Sequence, residues 1–389
     1  MKALEIRIYG VVQGVGFRPF VARTARRLDL KGWVSNEGGA VHILVKGEPA
    51  KLERFLEELE TAKPGPSFIL ALRKDSIPAE RVAEADFSIR ESEKRDEDPV
   101  FLPPDMPLCP ECMKELNTHG NRRYRHPFIS CMLCGPRYTI IDRVPYDREN
   151  TTMAEFPLCR RCREEYDNIR ERRYHAQTVS CYQCGPVLLY RDNKERAGKK
   201  PVLTGEEALS GAIEALKNGE IIAVKGIGGY HLACSPYSDE TVRLLREMKG
   251  REEKPFALIF PDVATIKDYC ELDETGEKAL LAPERPIVLL PKKRPIAARE
   301  LSSLVDRGSL DYGVFLPYTP FQVLLLEETG PLIMTSANTS DRPIIRDDLE
   351  MLGFARPGLA GVLYHERKIR AGVDDSVVRP AGKDIQVIR

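Results

Sequence analysis

Eight of the ten cysteines in this chain of 389 residues stand between Cys109 and Cys184 as four Cys-x-x-Cys pairs: Cys109/Cys112, Cys131/Cys134, Cys159/Cys162 and Cys181/Cys184. A Cys-x-x-Cys turn offers two thiolates from one knuckle, and zinc takes four in a tetrahedron. Two knuckles close one site, so eight cysteines provide two structural zinc sites. Disulfides or redox-active dithiols are the competing chemistries, and four regular pairs suit neither well. Each cysteine of the first half has a counterpart 50 positions later, and Arg123-Tyr124, Ser130 and Cys134-Gly135-Pro136 repeat as Arg173-Tyr174, Ser180 and Cys184-Gly185-Pro186. This duplication favours closure within each half. A crossed arrangement, outer pairs together and inner pairs together, stays open.

A second stretch able to do chemistry is Gly10-Val11-Val12-Gln13-Gly14-Val15-Gly16-Phe17-Arg18. Its glycines let backbone N–H groups converge ahead of a helix N-terminus, and Arg18 adds a two-pronged cation, a combination suited to phosphate. The plainer reading is a tight turn with a surface arginine. Further on, Lys249-Gly250-Arg251-Glu252-Glu253-Lys254-Pro255 gathers cations at a helix end, and Thr335-Ser336-Ala337-Asn338 places small polar groups after a strand. Asp375-Ser376-Val377-Val378-Arg379 is a third junction of this kind. A charge cluster alone is usually a solvated face. Cys234 and Cys270 read as ordinary buried residues.

The elements that must position these groups follow from periodicity. Leu4, Ile6 and Ile8 alternate as a strand, and Phe17, Phe20, Val21, Thr24, Ala25 and Leu28 mark one helix face. Strands near 32–36 and 41–45, a helix burying Leu52, Phe55, Leu56 and Leu59, and strands near 68–72 and 87–89 predict a βαββαβ ferredoxin-like sandwich over 1–91. A charged, then proline-rich linker spans 92–108, the zinc module 109–190, and an α/β domain 200–389. In that last domain Thr204 and Glu207 predict a capping box for a helix ending near Gly219, and Ser238 caps another.

Zero net charge gives no argument for a nucleic-acid or membrane partner. The zinc module carries 13 Lys and Arg against 10 Asp and Glu, a surplus that two tetrathiolate zinc centres cancel. No apolar run approaches a membrane span, and Lys2, Glu5 and Arg7 break the first apolar segment as no signal peptide would. Zinc-spaced thiols then imply a reducing cytoplasm.

Gly10-x-Val12-Gln13-Gly14-Val15-x-Phe17-Arg18 resembles the acylphosphatase signature, and Gly32-Trp33-Val34-x-Asn36 its second motif. The resemblance implies that Gln13, Gly14, Val15, Gly16 and Phe17 form the phosphate loop, that Arg18 binds the phosphate, and that Asn36 positions the attacking water. The Lys-x-Arg-x-x-Lys-Pro and Ser-Ala-Asn stretches resemble the YrdC family, which makes acyl-adenylates from ATP. By that resemblance Lys249, Arg251 and Lys254 hold phosphates, Ser336, Asn338 and Ser376 bond the phosphates or the adenylate, and Lys225, Tyr230 and His231 fall in a substrate-recognition strand and turn. A glycine turn after a buried strand explains that last stretch equally well.

The order acylphosphatase-like, duplicated four-cysteine fingers, YrdC-like resembles the hydrogenase maturation carbamoyltransferases, the HypF family. That implies hydrolysis of carbamoyl phosphate, then carbamoyl-adenylate formation from carbamate and ATP, with Mg2+ as the expected companion of ATP. Free carbamate decomposes in water, which explains the fusion of the two activities. In that family a further C-terminal domain passes the group to the C-terminal cysteine of a HypE-like partner; this chain is expected to lack it, which leaves the final transfer in doubt. A threonylcarbamoyl-adenylate synthase for tRNA modification and a zinc-finger nucleic-acid binder are the alternatives.

Overall fold

Alternation of apolar and polar residues makes β1 (Lys2–Val11) a strand with Ile6 and Ile8 fully buried. It leads through the glycine loop into α1 (Phe17–Arg27), followed by β2 (Lys31–Glu37), β3 (Ala40–Gly47), α2 (Pro49–Thr61), β4 (Phe68–Ile77) and β5 (Phe87–Ile89). The sheet order is β4-β1-β3-β2-β5. All pairings are antiparallel except that of β5 with β2. Val21, Ala22 and Ala25 of α1 and Leu52, Phe55 and Leu59 of α2 bury against Ile6, Ile8, Val34 and Ile43 of one sheet face. This is the expected ferredoxin-like sandwich; the expected strand at 87–89 forms as a fifth, edge strand beyond the four of a βαββαβ order.

The computed structural model describes residues 1–92, 100–193, 202–295, 299–338, 342–354 and 356–389. The expected linker at 92–108 therefore lies partly outside the described residues, as does the expected start of the last domain at 200. By backbone proximity the chain forms two units, 1–105 with 130–185 and 106–129 with 186–389.

The duplication is visible in the backbone. The short helices α3 (Pro110–Asn117) and α4 (Arg160–Asp167) each begin after a Cys-x-x-Cys cysteine. Arg125 and His175, at equal offset, both take left-handed φ values, +53° and +52°. Each donates its backbone N–H to the matching helix, Arg125 to Leu116 O and His175 to Tyr166 O.

The rest is one mixed sheet with helices: β6 (Leu188–Asp192), β7 (Val202–Thr204), α5 (Gly205–Lys217), β8 (Ile221–Lys225), β9 (Tyr230–Cys234), α6 (Asp239–Lys249), β10 (Ala257–Ile259), α7 (Val263–Tyr269), α8 (Glu274–Leu281), β11 (Ile287–Pro291), β12 (Asp311–Phe315), α9 (Pro320–Thr329), β13 (Leu332–Ser336), α10 (Asp348–Gly353), β14 (Leu359–His365), β15 (Val377–Ala381) and β16 (Asp384–Val387). The strand order is β16-β15-β11-β12-β10-β13-β9-β8-β14-β6-β7. Every residue of β8 and β9 is buried, Lys225 and His231 included. Ser238 caps α6 through Thr241 N–H as expected. The capping box at Thr204 does not form: its side chain makes no cap hydrogen bond, because Thr204 ends β7 opposite Leu189 and Gly205 (φ +59°) turns the helix start away. Among the described residues no helix is long and apolar enough to cross a membrane.

Candidate functional site

The two cysteine clusters close locally. The sulphurs of Cys109, Cys112, Cys131 and Cys134 all lie within 4.8 Å of one another, and so do those of Cys159, Cys162, Cys181 and Cys184. Cys131–Cys134 and Cys159–Cys181 are 3.7 Å apart and Cys181–Cys184 3.8 Å. A disulfide needs about 2.05 Å. A tetrahedron of sulphurs each about 2.3 Å from a zinc ion has edges near 3.8 Å. The donor sets therefore fit zinc, and the crossed pairing is excluded. A hydrogen bond with Cys162, assisted by backbone donors at Cys159 and Cys181, holds Cys184 down to about 4 against the opposing effect of burial. Burial instead pushes Cys270 up to about 12 and Cys234 higher still, as expected of inert core thiols.

The glycine loop joins β1 to α1 through left-handed turns at Gly14 (φ +71°) and Gly16 (φ +79°). A Cβ at Gly14 would come within 2.7 Å of Pro103, so only glycine lets the loop lie this close to its cover. Val15 and Phe17 send their side chains into the core, which leaves only their backbone N–H groups for a ligand. Among the described residues no protein acceptor engages the N–H groups of Gly14, Val15, Gly16 or Phe17. Gln13 stitches the loop in place: its Nε2 donates to Gly38 O (2.9 Å) and Ala40 O (3.2 Å), and its Oε1 accepts from Tyr146 N–H (3.0 Å).

Arg18, on the first turn of α1, is 7% exposed. Its Nη1 donates to Ser92 Oγ (3.1 Å), and its Nη2 to Asp147 Oδ1 (2.7 Å) and Tyr146 O (3.4 Å). Asn36, at the end of β2, is fully buried, yet neither its Oδ1 nor its Nδ2 has a hydrogen-bond partner among the described residues. The buried Tyr146 hydroxyl is likewise without one. Gly14, Gly16, Arg18, Arg137, Tyr146 and His175 surround a small cavity over the loop. Burial, with Arg18 nearby, pushes His175 down to about 4, so its ring is neutral near pH 7. Sequence reasoning singled out Arg18, which lines the cavity, and Asn36, which does not; it passed over Arg137, Tyr146, Asp147 and His175. His175 had one signal, a histidine standing directly after the repeated Arg173-Tyr174 where the first half has Arg125.

The other candidate site is a cavity of about 670 Å³ between the end of α6 and the C-terminal strands. Lys249, Arg251, Lys254, Ser336 and Asn338 line it together with Arg342, Asp374, Asp375 and Arg389. Lys249 Nζ donates to Ser336 O (2.6 Å) and to Asn338 Oδ1. Arg251 donates to Thr335 Oγ1 (3.2 Å). Burial first and the neighbouring Arg251 second push Lys249 down to about 8. Ser376 is exposed and does not line the cavity; its carbonyl accepts from Ile287 N–H at 2.8 Å.

Lys225 and Tyr230 do not line the cavity either. They share a half-buried carboxylate, with Lys225 Nζ and Tyr230 OH 2.5 and 2.6 Å from Asp348 Oδ1. His231 stands nearer the cavity, its Nε2 3.5 Å from Asp375 Oδ2.

Comparison with known proteins agrees with this architecture. Residues 4–89 match the acylphosphatase family model, 108–141 and 158–190 the HypF finger model, and 214–389 the model described as telomere recombination. The chain is 42% identical over 387 residues to the probable carbamoyltransferase HypF of Methanocaldococcus jannaschii, covering 99% of this chain and 49% of that protein. It is 44% identical over 414 residues to carbamoyltransferase HypF2 of Cupriavidus necator, with the same coverage. A crystal structure of full-length HypF in the phosphate- and nucleotide-bound form superposes with a TM-score of 0.93 at 39% identity, over 100% of this chain and 50% of that one. HypF of T. kodakarensis superposes at 0.89 with 38% identity, over 100% of this chain and 49% of that one. The chain thus spans about half the length of the curated relatives it matches.

Proposed function

The chain belongs to the HypF family, and from that premise we propose that it hydrolyses carbamoyl phosphate and activates the resulting carbamate as carbamoyl-adenylate. The single observation that carries the first activity is the loop with unengaged N–H groups beside Arg18; Asn36, buried and partnerless, lines neither cavity at Arg18 and is assigned by its motif. In this reading the loop and Arg18 take the phosphate oxygens. The Asn36 carboxamide holds a water in line with the bond from phosphorus to the acyl oxygen. The water oxygen bonds to phosphorus as carbamate leaves with the electron pair of the broken P–O bond. The water's protons pass to the phosphate and to solvent. An acyl phosphate is already activated, so positioning and charge stabilisation supply the acceleration.

In the second step a carbamate oxygen attacks the α-phosphorus of ATP and pyrophosphate departs. Lys249, Arg251 and Lys254 would carry the phosphate charge, with Mg2+ accompanying the nucleotide. Ser336 and Asn338 would bond the adenylate, with Ser376 at the rim. Lys225 and Tyr230 would act only by stiffening β8 and β9, and His231 through Asp375. The two zinc ions, held by the eight cysteines, would be structural. The adenylate would then serve a carbamoyltransferase reaction of hydrogenase maturation, with a HypE-like protein ending in cysteine as acceptor, in a reducing cytoplasm. The domain boundaries we assign are 1–91, 109–190 and 200–389.

Incubating the protein with carbamoyl phosphate and ATP tests the reading. Phosphate, pyrophosphate and carbamoyl-AMP should all form, and threonine with bicarbonate should not replace carbamoyl phosphate. Pyrophosphate release from threonine and bicarbonate alone would favour a tRNA-modifying synthase instead.

Two variants separate the sites. Asn36→Ala should lower kcat for phosphate release by about a hundredfold with little change in KM, since one positioning donor is removed from the transition state. A change confined to KM would remove Asn36 from that role. Lys254→Ala should cut pyrophosphate release by about a hundredfold while leaving carbamoyl phosphate hydrolysis within about twofold. Loss of both activities would mean that they share one site.

A further inference from the structure

We propose that the Asp147 carboxylate selects the carbamoyl group, accepting a hydrogen bond from the substrate's NH2; this rests on the reading of the Arg18 loop as an acyl phosphate site. Arg18 lines two cavities. One lies over the glycine loop. The other, of about 640 Å³, is lined by Arg18, Ser92, Asp147, Asn150, Tyr166 and His175 among others, and Asp147 faces this one alone. With a phosphate on the loop N–H groups and Arg18, an acyl substituent in the second cavity lies on the side of the guanidinium where Asp147 Oδ1 accepts from Nη2 at 2.7 Å. Among the described residues Oδ2 has no hydrogen-bond partner.

The chain on both sides of Asp147 is held. Tyr146 N–H is fixed to Gln13 (3.0 Å), and Asn150 Nδ2 donates to Pro145 O (2.7 Å). Arg148 N–H donates to Gln177 Oε1 (2.8 Å), while its guanidinium binds Gln177 O (2.5 Å), Val179 O (3.0 Å) and Phe156 O (2.6 Å). The carboxylate, 21% exposed, is set on the wall of the second cavity by this backbone and by Arg18. It rewards an acyl group that carries N–H donors and penalises a methyl group, which leaves Oδ2 facing an apolar surface. Carbamoyl phosphate has the donors; acetyl phosphate, of nearly the same size, does not.

The test is the ratio of kcat/KM for carbamoyl phosphate to that for acetyl phosphate, measured on the zinc-loaded chain. Asp147→Ala should lower this ratio at least about tenfold, and Asp147→Asn about threefold, because the amide keeps one acceptor oxygen. If Asp147 merely partners Arg18, both substrates change by the same factor, and that result overturns the proposal. Should Asp147→Ala bind fewer than two zinc ions, Asp147→Asn alone decides, an unchanged ratio counting against it. Failure of the underlying reading looks different, since the unaltered protein would then hydrolyse neither substrate.

Discussion

Arg18→Ala should lose phosphate release from carbamoyl phosphate by about a thousandfold or more. The basis is geometric. Arg18 is buried on the first turn of α1, where the unengaged N–H groups of the loop converge, and its planar fork, here engaged by Ser92, Asp147 and Tyr146, would exchange side-chain partners such as Ser92 for phosphate oxygens. Of the charge-stabilising donors in such sites, one preorganised donor is worth about a hundred- to a thousandfold, and an arginine on a phosphoryl group about a thousandfold or more. Arg137 is the other guanidinium lining the small cavity, but it is spent on backbone carbonyls, with Nε on Gly14 O (2.6 Å) and Nη2 on Met132 O (3.1 Å). It cannot substitute. Arg18→Lys should recover little, because an ammonium supplies a point charge where a fork is required. Pyrophosphate release with carbamate generated by a separate acylphosphatase should survive in both variants. Retention of more than a tenth of wild-type hydrolysis by Arg18→Ala would remove Arg18 from the reaction.

What could be read from the sequence was local in character. The glycine loop, Arg18 and the first helix face are contiguous, so side-chain types and spacing specify them directly. The cysteine pairs were legible because a duplicated frame repeats them at one offset, and the structure decides for the local pairing that the duplication favoured. Tertiary choices were not legible. Asp147 lies in the spacer between the finger halves, where no periodicity marks it, and becomes relevant only once that spacer meets Arg18. Thr204 has the right neighbours for a capping box, but strand pairing with Leu189 overrides local preference. Lys225 and Tyr230 sit on the expected strands, yet their shared partner, Asp348, lies more than a hundred residues later.

Loss of the second zinc should reach the acyl phosphate site without touching any residue in it. Cys181 and Cys184 follow directly on the segment Gln177–Val179, whose carbonyls hold Arg148 beside Asp147. Cys159 and Cys162 start α4, which carries Tyr166, and the Tyr166 hydroxyl donates to Gln177 Oε1 at 3.0 Å. The ion would therefore pin the two strands of chain that converge on Gln177. A structural zinc site contributes on the order of 10–16 kcal/mol of apparent binding free energy, far more than the few hydrogen bonds left to hold this segment. Cys184→Ser should accordingly bind one zinc instead of two. It should also become sensitive to protease between 145 and 185, and lose carbamoyl phosphate hydrolysis by about tenfold or more as the Asp147 segment loosens. Cys234→Ser and Cys270→Ser should keep both ions, since those thiols are core residues distant in sequence from either cluster. Metal analysis beside the phosphate-release assay decides the matter: two ions retained in Cys184→Ser, or one ion lost with hydrolysis unchanged, would refute the coupling between the second finger and the Arg18 site.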